Sequence, residues 1–557
     1  MKRDSHLPLL FGILACLILA GGAYLWATSQ MDSLYVYRSP LHDNPPIPGQ
    51  PVGPPLTSRV VFILVDALRL DTSLNPQVMP FLSELRQQGA SAVMHSRPPS
   101  YSESGYAVLL TGAWPDLSDG PTFNLEYEEI PTFTQDDLFS AARRAGKSTA
   151  LSGYYWFEKL VPQKSVDASF YTSGEDQVAD RAVVDAALPW MQEGKYDFIL
   201  VHIDQVDYAG HHEGGPRDPR WNSAARRADD LIRVIGAKLD LKKDTLFITS
   251  DHGQIDRGGH GGPEPVVLLE PFVLVGAGVN PGQYSDVNMV DVAPTLAVML
   301  GANLPASSQG RVLEEMLALD NTHVNTLPMR TYTQQKDLVD AYQAAIESHV
   351  DVDPQMQASA KKIVGAYQRA LEDARLGRLY FERLERTTLT VVIALIPLLL
   401  LIWRRSKSTL WLLTGVLLYH ALFHFRYAVL DRLTYSLSWV PEANVLIQYV
   451  AVTAAGALLV SWIIVWWGLQ TWKRNPREAA ELGLNFCLLV VYILSLPAMW
   501  SFALNGAVVS WTLPDFPSLY LGFISLLQIM VVAALGLVTS GLAALASRLV
   551  RNLLEFD

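Results

Sequence analysis

Residues 60–66, VVFILVD, decide how this chain is read. Six consecutive apolar residues, several of them β-branched, end in an aspartate. A strand with one wet face alternates apolar and polar residues. A run that is apolar at every position reads as a strand covered on both faces, as in a parallel sheet packed between helices. The pattern recurs in FILVHID (198–204) and TLFITSD (245–251), each again ending in Asp, and in PFVLVGAG (271–278). Helix-periodic stretches lie between them, including MPFLSELRQQG (79–89), ADRAVVDAALPWMQ (179–192) and NSAARRADDLIRVIGAKL (222–239). Strands separated by helices predict an α/β fold, a mostly parallel sheet flanked by helices. Ligands of such sheets bind beyond the carboxyl ends of the strands, which draws attention to Asp66, Asp204 and Asp251. One Asp at a strand end is commonly a turn or a helix cap. Three of them, each beside further His or Asp, mark a candidate site.

Outward from this region the composition changes. The chain has 557 residues, 50% of them hydrophobic and only 18% charged, against about 25% charged in soluble domains. Residues 7–27 carry no charge and are long enough to cross a bilayer. A cleaved signal peptide is disfavoured, because the run exceeds an ordinary signal core and no clean cleavage site follows. Further apolar runs lie at about 387–403, 408–425, 443–469, 484–504 and 518–546, giving about six transmembrane helices. Lys2 and Arg3, Arg404, Arg405 and Lys407, Lys473, Arg474 and Arg477, and Arg548 and Arg551 all fall on one side if the spans alternate. By the positive-inside rule both termini are cytoplasmic and the intervening domain is extracytoplasmic. The expected order is an anchor at 7–27, a stiff Pro-rich linker at 28–57, a catalytic domain at 58–330 and a helical connector or stalk at 331–386, its charged stretch at about 355–386 read as solvated. A five-helix membrane domain at 387–547 and a cytoplasmic tail at 548–557 follow. His420, His424 and Arg426 could face an anionic lipid head group, with ordinary interfacial anchoring equally favoured. A net charge of −12 argues against nucleic acid. The two cysteines, Cys16 and Cys487, lie in apolar runs, which excludes a disulfide framework and a Cys-based zinc site. The absence of Cys and of N-x-S/T sequons from 31–386 favours a bacterial cytoplasmic membrane.

Metal-ligand chemistry gathers in four clusters. VDALR supplies Asp66, and DQVDYAGHH supplies Asp204, Asp207, His211 and His212. SDHG supplies Asp251 and His252, and GGHGG supplies His260. Asp207 and His211 are four apart, so one helical loop can aim both at one ion. Mixed carboxylate and imidazole ligands suit zinc, and carboxylates suit hard divalent cations. RPPSYSESGYAVLLTG (97–112) offers a nucleophile, because Ser102 stands where a helix would begin. There free N–H groups favour phosphate oxygens. Ser102 could also be no more than a cap. To act as a nucleophile its hydroxyl needs a lowered pKa, which a metal ion provides.

In order and type these motifs resemble the alkaline phosphatase superfamily, in the branch of type I phosphodiesterases/nucleotide pyrophosphatases and GPI ethanolamine-phosphate transferases. VDALR resembles the branch's V-D-G/A-L-R, and PSYSESGYAVLLTG its nucleophile motif, with Ser102 at a position more often Thr. Asp207, Gly210 and His211 fit D-x-x-G-H, Asp251 and His252 fit S-D-H-G, and Gly258, His260 and Gly261 fit G-x-H-G. DVAPTLAVMLG (291–301) is similar to the end of the superfamily's core. The resemblance covers about residues 58–305 and implies an alkaline-phosphatase-like fold.

It also implies two divalent metal ions, zinc first and manganese second. One would be held by Asp66, Ser102, Asp251 and His252, the other by Asp207, His211 and His260. Asn124 would bind a phosphate oxygen. Asp204 and His212 match no ligand position and are left as neighbours of the ligands. A sulfatase C/S-x-P-x-R motif is absent around Ser102, which disfavours sulfate esters.

One N-terminal span, an outside catalytic domain and a multispan C-terminal region further resemble the GPI ethanolamine-phosphate transferases. The implied chemistry is an in-line displacement through a phospho-serine, completed by water or by an acceptor alcohol. The expected function is a membrane-bound phosphodiesterase or phosphoethanolamine-type transferase acting on an envelope lipid or lipid-linked glycan. The alternatives are a hydrolytic nucleotide pyrophosphatase/phosphodiesterase and a catalytically dead lipid-binding membrane protein.

Overall fold

A computed structural model describes residues 7–352, 358–403, 407–440 and 443–554. Of the cationic clusters that set the predicted topology, Lys2, Arg3, Arg404 and Arg405 lie outside the described residues. The chain divides into two compact units. One holds residues 34–379 with 510–513, the other 1–33, 380–509 and 514–557.

Among the described residues the larger unit is built on nine strands: β1 Arg59–Val65, β2 Ala90–His95, β3 Thr149–Tyr154, β4 Ala168–Thr172, β5 Phe198–Ile203, β6 Asp244–Thr249, β7 Leu269–Gly276, β8 Gly282–Gln283 and β9 Val287–Asn288. Their order is β4-β3-β5-β1-β6-β7-β2-β8, with β9 also on β2. From β4 to β6 every pairing is parallel, while β7 runs antiparallel to both β6 and β2. The all-apolar reading of β1 has a direct structural cause. Val60, Phe62 and Leu64 enter one buried cluster with Phe198, Leu200 and Phe247. Val61, Ile63 and Val65 enter another with Ile199, Val201, Ile203 and Ile248. Successive side chains point to opposite faces of a strand, so two covered faces demand an uninterrupted apolar run.

The strand order positions the site. β1 lies between β5 and β6, in the register Leu64↔His202 and Leu64↔Thr249. Neighbouring strands sit about 4.8 Å apart. The aspartates that follow these three strands, Asp66, Asp204 and Asp251, therefore meet beyond the carboxyl ends of the central strands.

Two stretches differ from expectation. The Pro-rich segment is not a free spacer. Val52 is buried in the core, Leu56 N–H donates to Met299 O at 2.9 Å, and Pro54 O accepts from His323 Nε2 at 2.9 Å. Nor is the connector solvated at about 355–386. Helix Asn321–Ala345 runs through its start at 331, and the first turns of helix Ala360–Trp403 bury Ile363, Tyr367, Ala370 and Ala374 against Leu338, Tyr342, Ala113 and Leu117. The apolar positions recur three and four apart, and their partners come from distant parts of the chain.

The smaller unit holds all or part of six apolar helices among the described residues. Leu7–Tyr35, Ala360–Trp403, Lys407–Leu430, Asn444–Gly468, Pro476–Asn505 and Phe516–Leu553 are each long and apolar enough to cross a membrane, and the chain is an integral membrane protein. The last two pack closely through small residues. A Cβ on Gly536 would stand 2.8 Å from that of Cys487. His420 and His424 stack with centroids 6.0 Å apart, and Arg426 Nε is 3.5 Å from Asp431.

Candidate active site

The three strand-end aspartates converge with residues from two following loops. Helix Gln205–His212 begins directly after Asp204 and carries Asp207. Asp251 and His252 follow β6, and His260 lies on the next loop. Ligand atoms within 4.8 Å of one another form three groups: Asp66, Asp251 and His252; Asp207, His252 and His260; and Asp66, Asp204 and Asp207. His211 joins the second group, its Nε2 3.1 Å from His260 Nε2 and 3.5 Å from Asp207 Oδ2. The six carboxylate and imidazole residues expected as ligands are thus drawn together. His212 is not: its exposed ring lies against Tyr208. Asp204, expected only as a neighbour, offers an oxygen beside those of Asp66 and Asp207.

Ser102 opens helix Ser102–Thr111, is 3% exposed, and has its Oγ 3.1 Å from His252 Nε2. The helix start thus places a hydroxyl, and backbone N–H groups that have no partner within the helix, beside the acidic cluster. Gly105, one turn on, allows the helix to lie against Asp251: an added Cβ would stand 2.8 Å from Asp251 Cβ and 3.0 Å from its carbonyl oxygen. Gly105→Ala is therefore expected to displace Asp251 at a cost of roughly 1–3 kcal/mol. A lowered melting temperature together with lost metal content would be the readout.

Asn124 lies beside the helix start. Its Oδ1 accepts from Glu103 N–H at 3.2 Å, while Glu103 Oε1 accepts from Leu125 N–H at 3.2 Å. Burial pushes the Glu103 carboxyl up to about 8.

The donor set fits a divalent cation by three observations. Asp66 Oδ1 and Asp251 Oδ2 are buried without a hydrogen-bond partner among the described residues, a costly state for carboxylates unless a cation answers them. Next, Nδ1 of His252 lies 3.0 Å from Gly253 O, and Nδ1 of His260 3.0 Å from Ser100 O. These contacts assign the proton to Nδ1 and leave the Nε2 lone pairs for a metal, the usual support for a histidine ligand. Third, burial and then the neighbouring Asp66 raise the carboxyls of Asp204 and Asp251 well above the ordinary range. Burial also raises Asp207, but His211, His260 and His252 outweigh it and hold that carboxyl low.

Several contributors carry no motif. Gln254 Nε2 donates to Asp207 Oδ1 at 2.5 Å. Tyr106 O–H donates to Asp66 Oδ2, and His202 Nε2 lies 3.1 Å from the same oxygen. His202 stood inside an apolar strand sequence, where a core residue is the ordinary reading. Tyr106 could have been suspected only from its place four residues after Ser102.

Comparison with known proteins bears on the same region. The model of the family described as type I phosphodiesterase / nucleotide pyrophosphatase matches residues 60–118 and 122–345. The catalytic subunit of GPI ethanolamine phosphate transferase 2 from Homo sapiens is 28% identical over 51% of this chain and 31% of its own length. The catalytic subunit of human GPI ethanolamine phosphate transferase 3 is 26% identical over 47% of this chain and 26% of its own. The chain therefore spans about a third or less of the length of these relatives. The solved structure of human ectonucleotide pyrophosphatase / phosphodiesterase 5 aligns with 44% of this chain and 95% of its own, at 13% identity and a TM-score of 0.38. With the family model matched over more than half of its residues, the chain belongs to the type I phosphodiesterase / nucleotide pyrophosphatase family.

Proposed function

We propose that this chain is a membrane-bound, metal-dependent phosphodiester enzyme that uses Ser102 to transfer a phospho-head-group, of the phosphoethanolamine type, to a lipid or lipid-linked glycan. The observation that carries this reading is Ser102 Oγ, buried at a helix start and 3.1 Å from His252 Nε2 within the carboxylate–imidazole cluster. The six apolar helices and the GPI ethanolamine phosphate transferase relatives support a membrane substrate.

Asp66, Ser102, Asp251 and His252 would hold one divalent ion, and Asp207, His211 and His260 the second. Zinc suits this set best and manganese next. When bound, the ions supply positive charge to the phosphate oxygens and lower the pKa of the Ser102 hydroxyl. The remaining work belongs to the chain. The N–H groups at the helix start other than that of Glu103, which Asn124 takes, donate to a non-bridging phosphate oxygen. Asn124, its Oδ1 held by Glu103 N–H, has its amide N–H groups left to do the same. Ser102 Oγ forms a bond to phosphorus while the opposite P–O ester bond breaks. The serine proton passes to solvent, and the departing alcohol takes one up. A second hydroxyl then attacks the phospho-serine and returns Ser102 to its starting state. If that hydroxyl is water the outcome is hydrolysis, and if it belongs to a glycan it is transfer.

The Lys and Arg clusters support a topology with both termini cytoplasmic and the larger unit on the opposite face of a bacterial cytoplasmic membrane.

The test uses the full chain purified in detergent. Metal-stripped protein is expected to be inactive on bis-p-nitrophenyl phosphate and to regain turnover with Zn²⁺ or Mn²⁺. Mass spectrometry of acid-quenched protein is expected to find a p-nitrophenyl phosphoryl group on Ser102, the second ester of the substrate being retained. Metal-independent turnover, or that group on another residue, would sink the reading.

A further inference from the structure

Asp66 is gripped from one side. Its Oδ2 receives the Tyr106 O–H and lies 3.1 Å from His202 Nε2, which is itself 2.9 Å from the Tyr106 hydroxyl. Its Oδ1 has no hydrogen-bond partner among the described residues and stands 3.5 Å from His252 Nε2. A carboxylate fixed through one oxygen by two converging donors cannot turn about its Cβ–Cγ bond without breaking both contacts. The orientation of the other oxygen is thereby set.

The grip is built into the fold. Asp66 directly follows β1, its N–H donating to Ile203 O at 2.8 Å as the ladder would continue, so it lies on the same face as Leu64. On β5, His202 is the register partner of Leu64. His202 and Asp66 are thus diagonal neighbours on one face, within reach of long side chains. Tyr106 arrives from the other direction. It lies one helical turn beyond Ser102, on the same helix face, so one short helix carries both the nucleophile and the group that orients Asp66. The Tyr106 ring is stacked on Phe157 with centroids 4.5 Å apart and meets His202 edge-on at 5.2 Å. Phe157 also meets His202 edge-on at 5.3 Å. Tyr106 and His202 are each 1% exposed, and Phe157 is fully buried. His202 Nδ1 has no partner among the described residues, so the network assigns the proton to Nε2, which faces Asp66.

We propose that Tyr106 and His202 are positioning residues of the metal centre, holding Asp66 through Oδ2 so that Oδ1 faces the cation position shared with Asp251 and His252. The inference rests on the two-metal reading of the site given above. Neither residue touches the reacting phosphate. They act by fixing one ligand, and loss of such a partner typically weakens metal binding by roughly 10–100-fold.

The test is a Co²⁺ titration of the metal-stripped full chain in detergent, followed by visible absorption and equilibrium dialysis. Tyr106→Phe keeps the stacked ring and removes only the hydroxyl. His202→Gln keeps a donor near Asp66, and His202→Ala removes it. Wild type is expected to take up two Co²⁺. Tyr106→Phe and His202→Ala are expected to weaken one of the two by roughly 10–100-fold and to shift its absorption bands. The other ion and the melting temperature of the metal-free protein should stay within a few degrees and a few-fold of wild type. His202→Gln should recover part of the lost affinity.

Unchanged affinity and spectrum in both Tyr106→Phe and His202→Ala would overturn the inference while leaving the two-metal reading intact. So would equal weakening of both ions together with a collapse in metal-free stability, because that pattern marks a merely structural role. A wild-type protein that binds no Co²⁺, Zn²⁺ or Mn²⁺ would overturn the two-metal reading itself, and this inference with it.

Discussion

Ser102→Ala is expected to lower metal-dependent phosphodiesterase turnover by roughly 10⁴-fold or more, the scale seen when a covalent nucleophile is removed from an otherwise intact site. The loss should fall on kcat, since the groups that receive the phosphate remain. Folding should survive. The substitution removes one buried hydroxyl and its contact with His252, a net cost of about 1 kcal/mol, and Ala is a better helix former than Ser. Six carboxylate and imidazole ligands also remain, so metal content should persist. Ser102→Thr keeps a hydroxyl in place and is expected to retain activity within about tenfold. Steady-state kinetics beside metal analysis decides the matter. Wild-type turnover in Ser102→Ala with both ions bound would remove Ser102 from the mechanism.

Much of this site was legible because its chemistry is local. Asp66, Asp204 and Asp251 each end an apolar strand, and Asp207 and His211 share a helical turn. Their convergence was not legible from spacing alone. It depends on β1 lying between β5 and β6, an order set by packing among segments more than a hundred residues apart. Asp204 was undervalued for the same reason, since only that order brings it beside Asp66 and Asp207. His202 and Gln254 left no trace in the sequence, and Tyr106 only its spacing of four from Ser102, because their partners come from other elements. β7 was legible as a strand but not as an antiparallel one, because a buried antiparallel strand has the same apolar run as a parallel one, and β2, ASAVMH, carries Ser91 and His95 and offers no such run. The stretch at about 355–386 reads as solvated in sequence because a charged helix with an apolar stripe looks alike whether that stripe is bare or covered. The stripe of Ile363, Tyr367, Ala370 and Ala374 is covered by residues from elsewhere in the chain.

Removing the metals should lower the melting temperature and reverse the pH dependence of stability. Ions that bind only the folded site stabilise by about 2.7 kcal/mol each at a hundredfold excess over Kd. At about 2–4 °C per kcal/mol for a large domain, a chelator should cost on the order of 10 °C. The pH effect follows from the buried acids. Without cations, burial and then Asp66 raise the carboxyls of Asp204 and Asp251 in the folded state. In the unfolded chain they return to about 3.9. The folded state therefore holds protons that the unfolded state releases, so stability falls as pH rises. The contribution is complete below about pH 4 and is lost as pH climbs through the raised folded-state values. Loaded protein should behave oppositely, because its ligands bind as carboxylates and neutral imidazoles and acid displaces the ions. Thermal melts of loaded and chelated protein between pH 5 and 8 should give curves that diverge as pH rises. Parallel curves would mean that the carboxylate cluster holds no cation whose charge it needs.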